Sequence, residues 1–229
     1  MTTIHSLCKT CSISFEHEPV QFYGKVIYVQ RNCDDCCLKY TQDQKEEPTR
    51  KAKDASRNRF NLMIPPIYHD TDLTRLPEAL TTPVVSWTYQ PMGLGFIGTS
   101  GAGKTRAAIT LLKRMQDAGK DTFFLTAPDL SLNAANQFAD SPAIKIIAQS
   151  ALKLCKSADL LLLDDLGKGR MTDRAEAELY DLLEYRTSHR LPTLWTSNSD
   201  AKGLLSMFSQ DRGEAIVRRL AEFSTIVKL

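Results

Sequence analysis

No apolar run in this chain of 229 residues approaches the ~20 residues needed to span a bilayer, which excludes a helical membrane anchor. The N-terminus, MTTIHSLCKT, has no basic patch followed by an apolar core, so no secretion signal is expected. Excess charge of either sign is also lacking. The formal net charge is +2, and bulk charge therefore does not mark a nucleic-acid binder. Internal repeats and low-complexity tracts are absent. What remains is the expectation of a cytoplasmic protein, a compartment where thiols stay reduced. The six cysteines then need a reading other than disulfides, and five of them fall within the first 37 residues.

The composition, 42% hydrophobic and 24% charged, is that of an ordinary globular protein. The length suffices for one α/β domain of about 150 residues plus something small. Three segments separate by composition: a cysteine-rich module over residues 1–40, a basic linker over 41–75, and an α/β domain over 76–229. The linker lacks a clear period and carries Arg50, Lys51, Lys53, Arg57 and Arg59 against Asp54. It contains Ile64-Pro65-Pro66-Ile67, which cannot be helix interior.

In the third segment strand-like and helix-like patterns alternate. Residues 93–97 (GLGFI), 122–127 (TFFLTA), 158–164 (ADLLLLD), 192–197 (PTLWTS) and 224–229 (STIVKL) read as strands. Helices are expected over 104–116, from Ser141-Pro142 onward, from Asp173 to Ser188 and over roughly 200–221. Asp173 and Glu176 read as a capping box. After Ser141-Pro142, Ile144, Ile147, Ala148, Ala151 and Cys155 follow at helical spacing, and Cys155 reads as a small core residue. Such alternation predicts a parallel sheet in a three-layer α/β sandwich.

Residues 98–105 read GTSGAGKT and fit G-x-x-x-x-G-K-[ST] completely, after a strand and before a helix. The glycines let successive backbone N–H groups turn inward around phosphate oxygens, and the helix adds the positive end of its dipole. Gly98, Thr99, Ser100, Gly101, Ala102, Gly103, Lys104 and Thr105 are thus the expected nucleotide cradle. Lys104 would reach the β- and γ-phosphates of ATP, and Thr105 would be a ligand of Mg²⁺. A phosphate loop alone hydrolyses nothing; it needs a carboxylate for the metal and a base for water. LLLLDD at 160–165 supplies both at the C-terminal edge of a buried strand, where open α/β sheets bind ligands. Asp164 would orient Mg²⁺ and Asp165 would polarise the attacking water. In Thr196-Ser197-Asn198, the amide of Asn198 can both donate to phosphate and accept from water.

The phosphate loop, LLLLDDLG at 160–167, TSN at 196–198 and GEAIVRRLAEF at 213–223 together resemble the DnaC/IstB family of AAA+ ATPases. That family contains replicative-helicase loaders and transposition ATPases. The resemblance covers about residues 62–229. It implies a P-loop (AAA+/ASCE) sheet of strand order 5-1-4-3-2, with Asn198 beside the phosphate. It also implies that the helices around 129–156 include an extra element that helps such proteins stack around DNA. An arginine that contacts a neighbouring subunit's γ-phosphate matches Arg219, with Arg218 and Arg212 close by in sequence. The family's loaders continue past the last strand into a lid helix, and the chain given stops at Leu229; a truncated or absent lid is the expectation.

Cys8-x-x-Cys11 and Cys33-x-x-Cys36 are separated by 21 residues. Each C-x-x-C can place two thiolates on one tetrahedral ion, so a zinc-ribbon-like Cys₄ site for Zn²⁺ is expected. A redox pair, or a set in which Cys37, His5 or His17 replaces one cysteine, are the alternatives. The intervening VQFYGKVIYVQ suits a hairpin broken at Gly24. A segment of ~40 residues can hardly bury a stable core alone, and zinc would supply folding energy. Phe22, Tyr23 and Tyr28 either stack on bases or pack the hairpin.

The function expected from these features is that of a helicase loader, an ATPase assembling as an oligomer on single-stranded DNA, with its zinc module docked on the replicative helicase. The rivals are a transposition ATPase whose partner is a transposase on double-stranded DNA, and a nucleotide-dependent DNA-binding adaptor with little hydrolysis.

Overall fold

The computed structural model describes residues 3–23, 25–169 and 171–229; the side chains of Phe22, Ile27, residues 43–53 and Ser56 lie outside the description. Of the features expected from sequence, the stacking role of Phe22 and the basic side chains of Arg50, Lys51 and Lys53 therefore fall outside the described residues. Two compact units divide at Ala55/Ser56.

In the first unit, β1 (Ile4–Leu7) pairs antiparallel with β2 (Ser14–His17), and β3 (Val20–Phe22) pairs antiparallel with β4 (Lys25–Tyr28). The second hairpin is the one expected between the cysteine pairs; the first was not anticipated. Helix α1 (Asp34–Met63) follows, with Asp34 and Asp35 in its first turn, where carboxylates complement the helix dipole. The segment from residue 41, expected to be an aperiodic linker, is thus helical as far as Met63. Lysine, arginine, glutamate, glutamine and alanine all favour helix intrinsically, so a helix forms here without an apolar stripe to announce it. It ends just before Ile64-Pro65-Pro66, as those prolines require. Two short 3₁₀ turns follow, Pro66–Tyr68 and Leu73–Arg75.

The second unit holds a five-stranded sheet of order β6-β7-β8-β5-β9: β5 (Gly93–Ile97), β6 (Thr122–Thr126), β7 (Leu160–Leu166), β8 (Thr193–Ser197) and β9 (Ser224–Lys228). All its pairings are parallel. Counted within the unit, this is the order 5-1-4-3-2. Side chains alternate across β7, so Leu160 and Leu162 join one core and Leu161 and Leu163 the other; all four are fully buried. The first core includes α2 (Glu78–Ser86) and α3 (Lys104–Asp117), together with Phe60 and Ile64. The second is covered by α4 (Ala127–Asn136), α5 (Pro142–Ser157), α6 (Asp173–Ser188) and α8 (Gln210–Glu222). Helix, sheet and helix form the three layers.

Three local expectations are corrected. The expected capping box does not form: Thr172 caps α6, its hydroxyl accepting from Ala175 N–H, while the buried Glu176 accepts the Ser209 N–H through both oxygens at 2.9 and 3.0 Å. The helix expected over 200–221 is two, α7 (Ala201–Leu205) and α8, broken at Ser206–Ser209. Ala127, expected at the end of a strand, begins α4 because Thr126 caps a new helix with Pro128 in its first turn. In α5, the helix expected from Ser141-Pro142, Ala148, Leu152 and Cys155 face the core, while Ile144 and Ile147 are exposed.

Arg186 of α6 is wholly buried. Its guanidinium donates to the carbonyls of Cys155, Ala158 and Pro192 at 2.8, 2.8 and 2.6 Å and to Thr193 Oγ1 at 3.0 Å, which ties α5, α6 and the start of β8 together. Burial brings its pKa down to about 10.

Candidate nucleotide site and cysteine cluster

The phosphate loop runs from β5 into α3. Gly103 at its end has φ +88° and serves as the N-cap of α3, and Gly101 has φ +81°, a region open to glycine and costly for other residues. Lys104, the first residue of α3, is buried, and its Nζ donates to Gly98 O, Thr99 O and Asn198 Oδ1, each at 2.8 Å. Burial lowers its pKa, while the charges of Asp165 and Asp164 oppose that shift. Lys104 and Asn198 therefore meet although 94 residues separate them, because β8 lies beside β5.

Asp164 ends the buried run of β7. Its Oδ1 accepts from Thr105 Oγ1 at 2.8 Å and from Thr196 Oγ1 at 2.7 Å. Burial raises the Asp164 pKa, and the two hydroxyl bonds counter it. The next residue, Asp165, has φ +60°, and the pairing of β7 with β8 slips between Leu163 and Leu166. This bulge turns the second acid away from the first. The Asp165 N–H donates to Thr196 Oγ1 at 2.9 Å, which holds the bulge in place. Ser197 Oγ donates to Leu166 O at 2.7 Å and accepts the Ser199 N–H at 3.0 Å, fixing the turn that presents Asn198.

These groups line a cavity of about 420 Å³, with Ser100, Gly101, Gly103, Lys104 and Thr105 on one side and Asp164, Asp165 and Asn198 on another. The cavity also takes in Tyr68, Arg106 and Lys168, which no sequence motif marks. Arg106 donates to Thr71 Oγ1 at 2.9 Å and lies over the Tyr68 ring at 5.4 Å. Thr196, two residues before Asn198, is the residue that connects both acids. Its signal was its position one pleat before the end of a strand beside β7. The hydroxyl of Thr105 and the carboxylate of Asp164, already 2.8 Å apart, are hard oxygen donors of the kind Mg²⁺ takes, so the donor set fits that ion.

Arg219 is placed elsewhere. Its guanidinium pairs with Glu184, lies over the Tyr180 ring at 4.7 Å and is 3.4 Å from the Tyr180 hydroxyl. It borders a separate surface depression with Arg218 and Glu222 and does not line the phosphate cavity of its own chain. Arg218 is exposed, 3.9 Å from Glu222, and Arg212 is exposed.

In the first unit Cys8, Cys11, Cys33 and Cys36 converge, with all four sulfurs within 4.8 Å of one another. Cys8 and Cys11 sit in the turn between β1 and β2; Cys33 precedes α1 and Cys36 lies in its first turn. Burial opposes ionisation of Cys8, but backbone hydrogen bonds from Cys11, Cys33 and Thr10 bring its thiol down to about 6. The Cys33 and Cys11 sulfurs push Cys36 up to about 12. That mutual opposition is what a divalent ion among four thiolates would relieve, and a soft all-sulfur donor set suits zinc. The alternative ligands stay outside: Cys37 Sγ donates to Asn32 O at 3.5 Å, His17 Nε2 is 3.1 Å from Ser6 Oγ, and His5 Nε2 is 3.5 Å from Glu16. Tyr23 and Tyr28 are exposed.

Residues 73–229 match the family described as "IstB-like ATP binding protein". The "Replicative helicase loader DnaC" of Buchnera aphidicola subsp. Acyrthosiphon pisum is 26% identical over 125 residues, 55% of this chain and 48% of that protein. The chain thus spans about half the length of the curated relatives it matches. Among solved structures, that of the DnaC helicase loader superposes with a TM-score of 0.58 at 22% identity, covering 71% of this chain and 98% of the other. That of DnaI gives 0.60 at 19%, covering 72% and 94%. At these identities the likeness concerns the fold. Among the described residues no helix is long and apolar enough to cross a membrane.

Proposed function

The chain belongs to the family of IstB-like ATP binding proteins, AAA+ proteins of the DnaC/IstB type, and from that premise we propose that it hydrolyses ATP to switch its hold on DNA and on a replicative helicase. The observation that carries the hydrolytic part is the convergence of Lys104, Thr105, Asp164 and Asn198 from three separate stretches of sequence on one cavity.

The loop N–H groups and the Lys104 ammonium would bind the β- and γ-phosphates, and Asn198 holds that ammonium in place from β8. Mg²⁺, held by Thr105 and Asp164, would supply positive charge to the phosphate oxygens. Asp165 accepts the proton of the attacking water as the oxygen bonds to the γ-phosphorus; the bond from that phosphorus to the β–γ bridging oxygen breaks, leaving ADP and inorganic phosphate. Arg219 acts in trans. It does not line the phosphate cavity of its own chain, and release from Glu184 would free it for a neighbour's phosphate when chains assemble on single-stranded DNA.

The partner reading rests on the helicase loaders that the chain resembles, with the cysteine module, folded on zinc, as the gripping element. A transposase in place of the helicase is the second reading, since the matched family is named for IstB-like proteins.

Phosphate release by the full chain, with and without single-stranded DNA, tests the enzymatic part. Lys104→Ala should lose nucleotide binding. Asp165→Asn should keep binding and lose about 10²–10⁴ in turnover, the range for a general base. Normal turnover in Asp165→Asn removes that residue from its role. Arg219→Ala and Lys104→Ala chains, each inactive, should partly recover activity on mixing with DNA; wild-type turnover by Arg219→Ala alone makes that arginine a surface charge. Capture of a purified replicative helicase, against a transposase as control, decides the partner.

A further inference from the structure

The turn after β7 places an ammonium on the acid proposed as the base. Lys168 Nζ lies 3.0 Å from Asp165 Oδ2, and both groups line the phosphate cavity. The two neighbouring acids are thus treated differently. Asp164 receives two neutral hydroxyls on one oxygen and keeps its charge available to a metal. Asp165 has its outer oxygen covered by a cation. The turn itself is tight: Lys168 N–H donates to Asp165 O at 3.2 Å, and the flanking Gly167 and Gly169 have φ of +82° and +93°. The side chain is 67% exposed, so the ammonium can leave without repacking the core. The hydrogen bond to Asp165 and its charge hold Lys168 protonated, raising its pKa.

A carboxylate oxygen engaged by an ammonium is a poorer proton acceptor. Its lone pair is already directed at a donor and is not free to meet the attacking water. We propose that Lys168 is a brake on hydrolysis: its ion pair with Asp165 keeps that carboxylate from the attacking water, and turnover proceeds from the fraction of molecules in which the pair is open. This rests on the reading of Asp165 as the base. Because the pair is exposed, its hold is weak, and the brake is a matter of a few-fold in rate rather than of on and off.

The test is steady-state phosphate release by the full chain without DNA. Lys168→Ala should raise kcat about two- to five-fold, the size of effect an exposed ion pair exerts, with KM for ATP unchanged. Lys168→Arg keeps a cation on Asp165 and should stay near the wild-type rate. The double variant Lys168→Ala with Asp165→Asn should be no faster than Asp165→Asn alone, because the lysine acts only through that carboxylate. Lys168→Gln, closer in length, repeats the measurement should the alanine variant fold poorly. A rate equal to or below wild type in both uncharged variants, with ATP binding intact, overturns the proposal. So does acceleration that persists in the double variant. If Asp165→Asn alone turns over normally, the assignment of the base fails first and the brake falls with it.

Discussion

The two units hold their chemical groups in place by different means. Around the nucleotide cavity, every acting side chain leaves an element whose body is buried: Asp164 follows four leucines with no exposed surface, and Lys104 begins a helix whose inner face is core. In the cysteine module the large apolar residues face outward instead, Leu7 at 69% and Ile13 at 63% exposed, while Cys8 is buried. One unit is shaped by apolar burial and carries polar groups at its rim. The other draws its chain together at four sulfurs and has little apolar interior to fall back on. The lesson is that the same chain should come apart in two independent ways.

Removing metal should have the largest effect and should break the comparison if it is wrong. Structural zinc contributes on the order of 10 kcal/mol to small domains that depend on it. Chelation, or Cys33→Ser, should abolish amide protection over β1–β4 in hydrogen exchange while that of β5–β9 stays unchanged; freshly purified protein should carry one equivalent of zinc. A module that stays protected without metal would mean that its fold does not depend on the sulfurs.

The converse damage is smaller. Leu162→Ala removes a fully buried side chain at the centre of the sheet and should cost about 2–5 kcal/mol in denaturant unfolding of the second unit, with zinc content unaffected. Smaller again is Thr196→Val, which keeps the shape but leaves Asp164 with one donor fewer and the Asp165 N–H unpaired. A loss of about 1–3 kcal/mol is expected. Turnover should fall more than ATP affinity does, because the loop and Lys104 are untouched. Equal losses in both would show that Thr196 supports the cradle rather than the acids.

What the sequence made legible follows the same division. The phosphate loop, the leucine strand and the two C-x-x-C pairs are local patterns, in which the chemistry dictates the spacing, and each can be found without knowing its neighbours. The strand order came from resemblance, and with it the meeting of Asn198 and Lys104. Partners chosen by side chains across elements were not legible. Glu176 looked like a cap for its own helix and instead binds Ser209 N–H; Arg186, which no motif marks, is a buried tie between carbonyls. The long helix α1 was hidden for the opposite reason, since propensity without an apolar stripe leaves no period to detect. Ile144 and Ile147 have helical spacing but face solvent, because spacing announces a helix and not which of its residues are covered.

The positive φ of Asp165 has a practical consequence for mutagenesis at the acid pair. Left-handed backbone is tolerated by asparagine and aspartate, costs alanine and most other residues energy, and is worst for β-branched side chains. Asparagine at this position therefore alters charge alone, glycine removes the carboxylate while relaxing the chain, and valine would disturb the bulge that Thr196 anchors. Saturation of this one codon should sort its products along two separate axes, solubility following backbone tolerance and turnover following the carboxylate, so that a variant's expression level does not predict its catalytic rate.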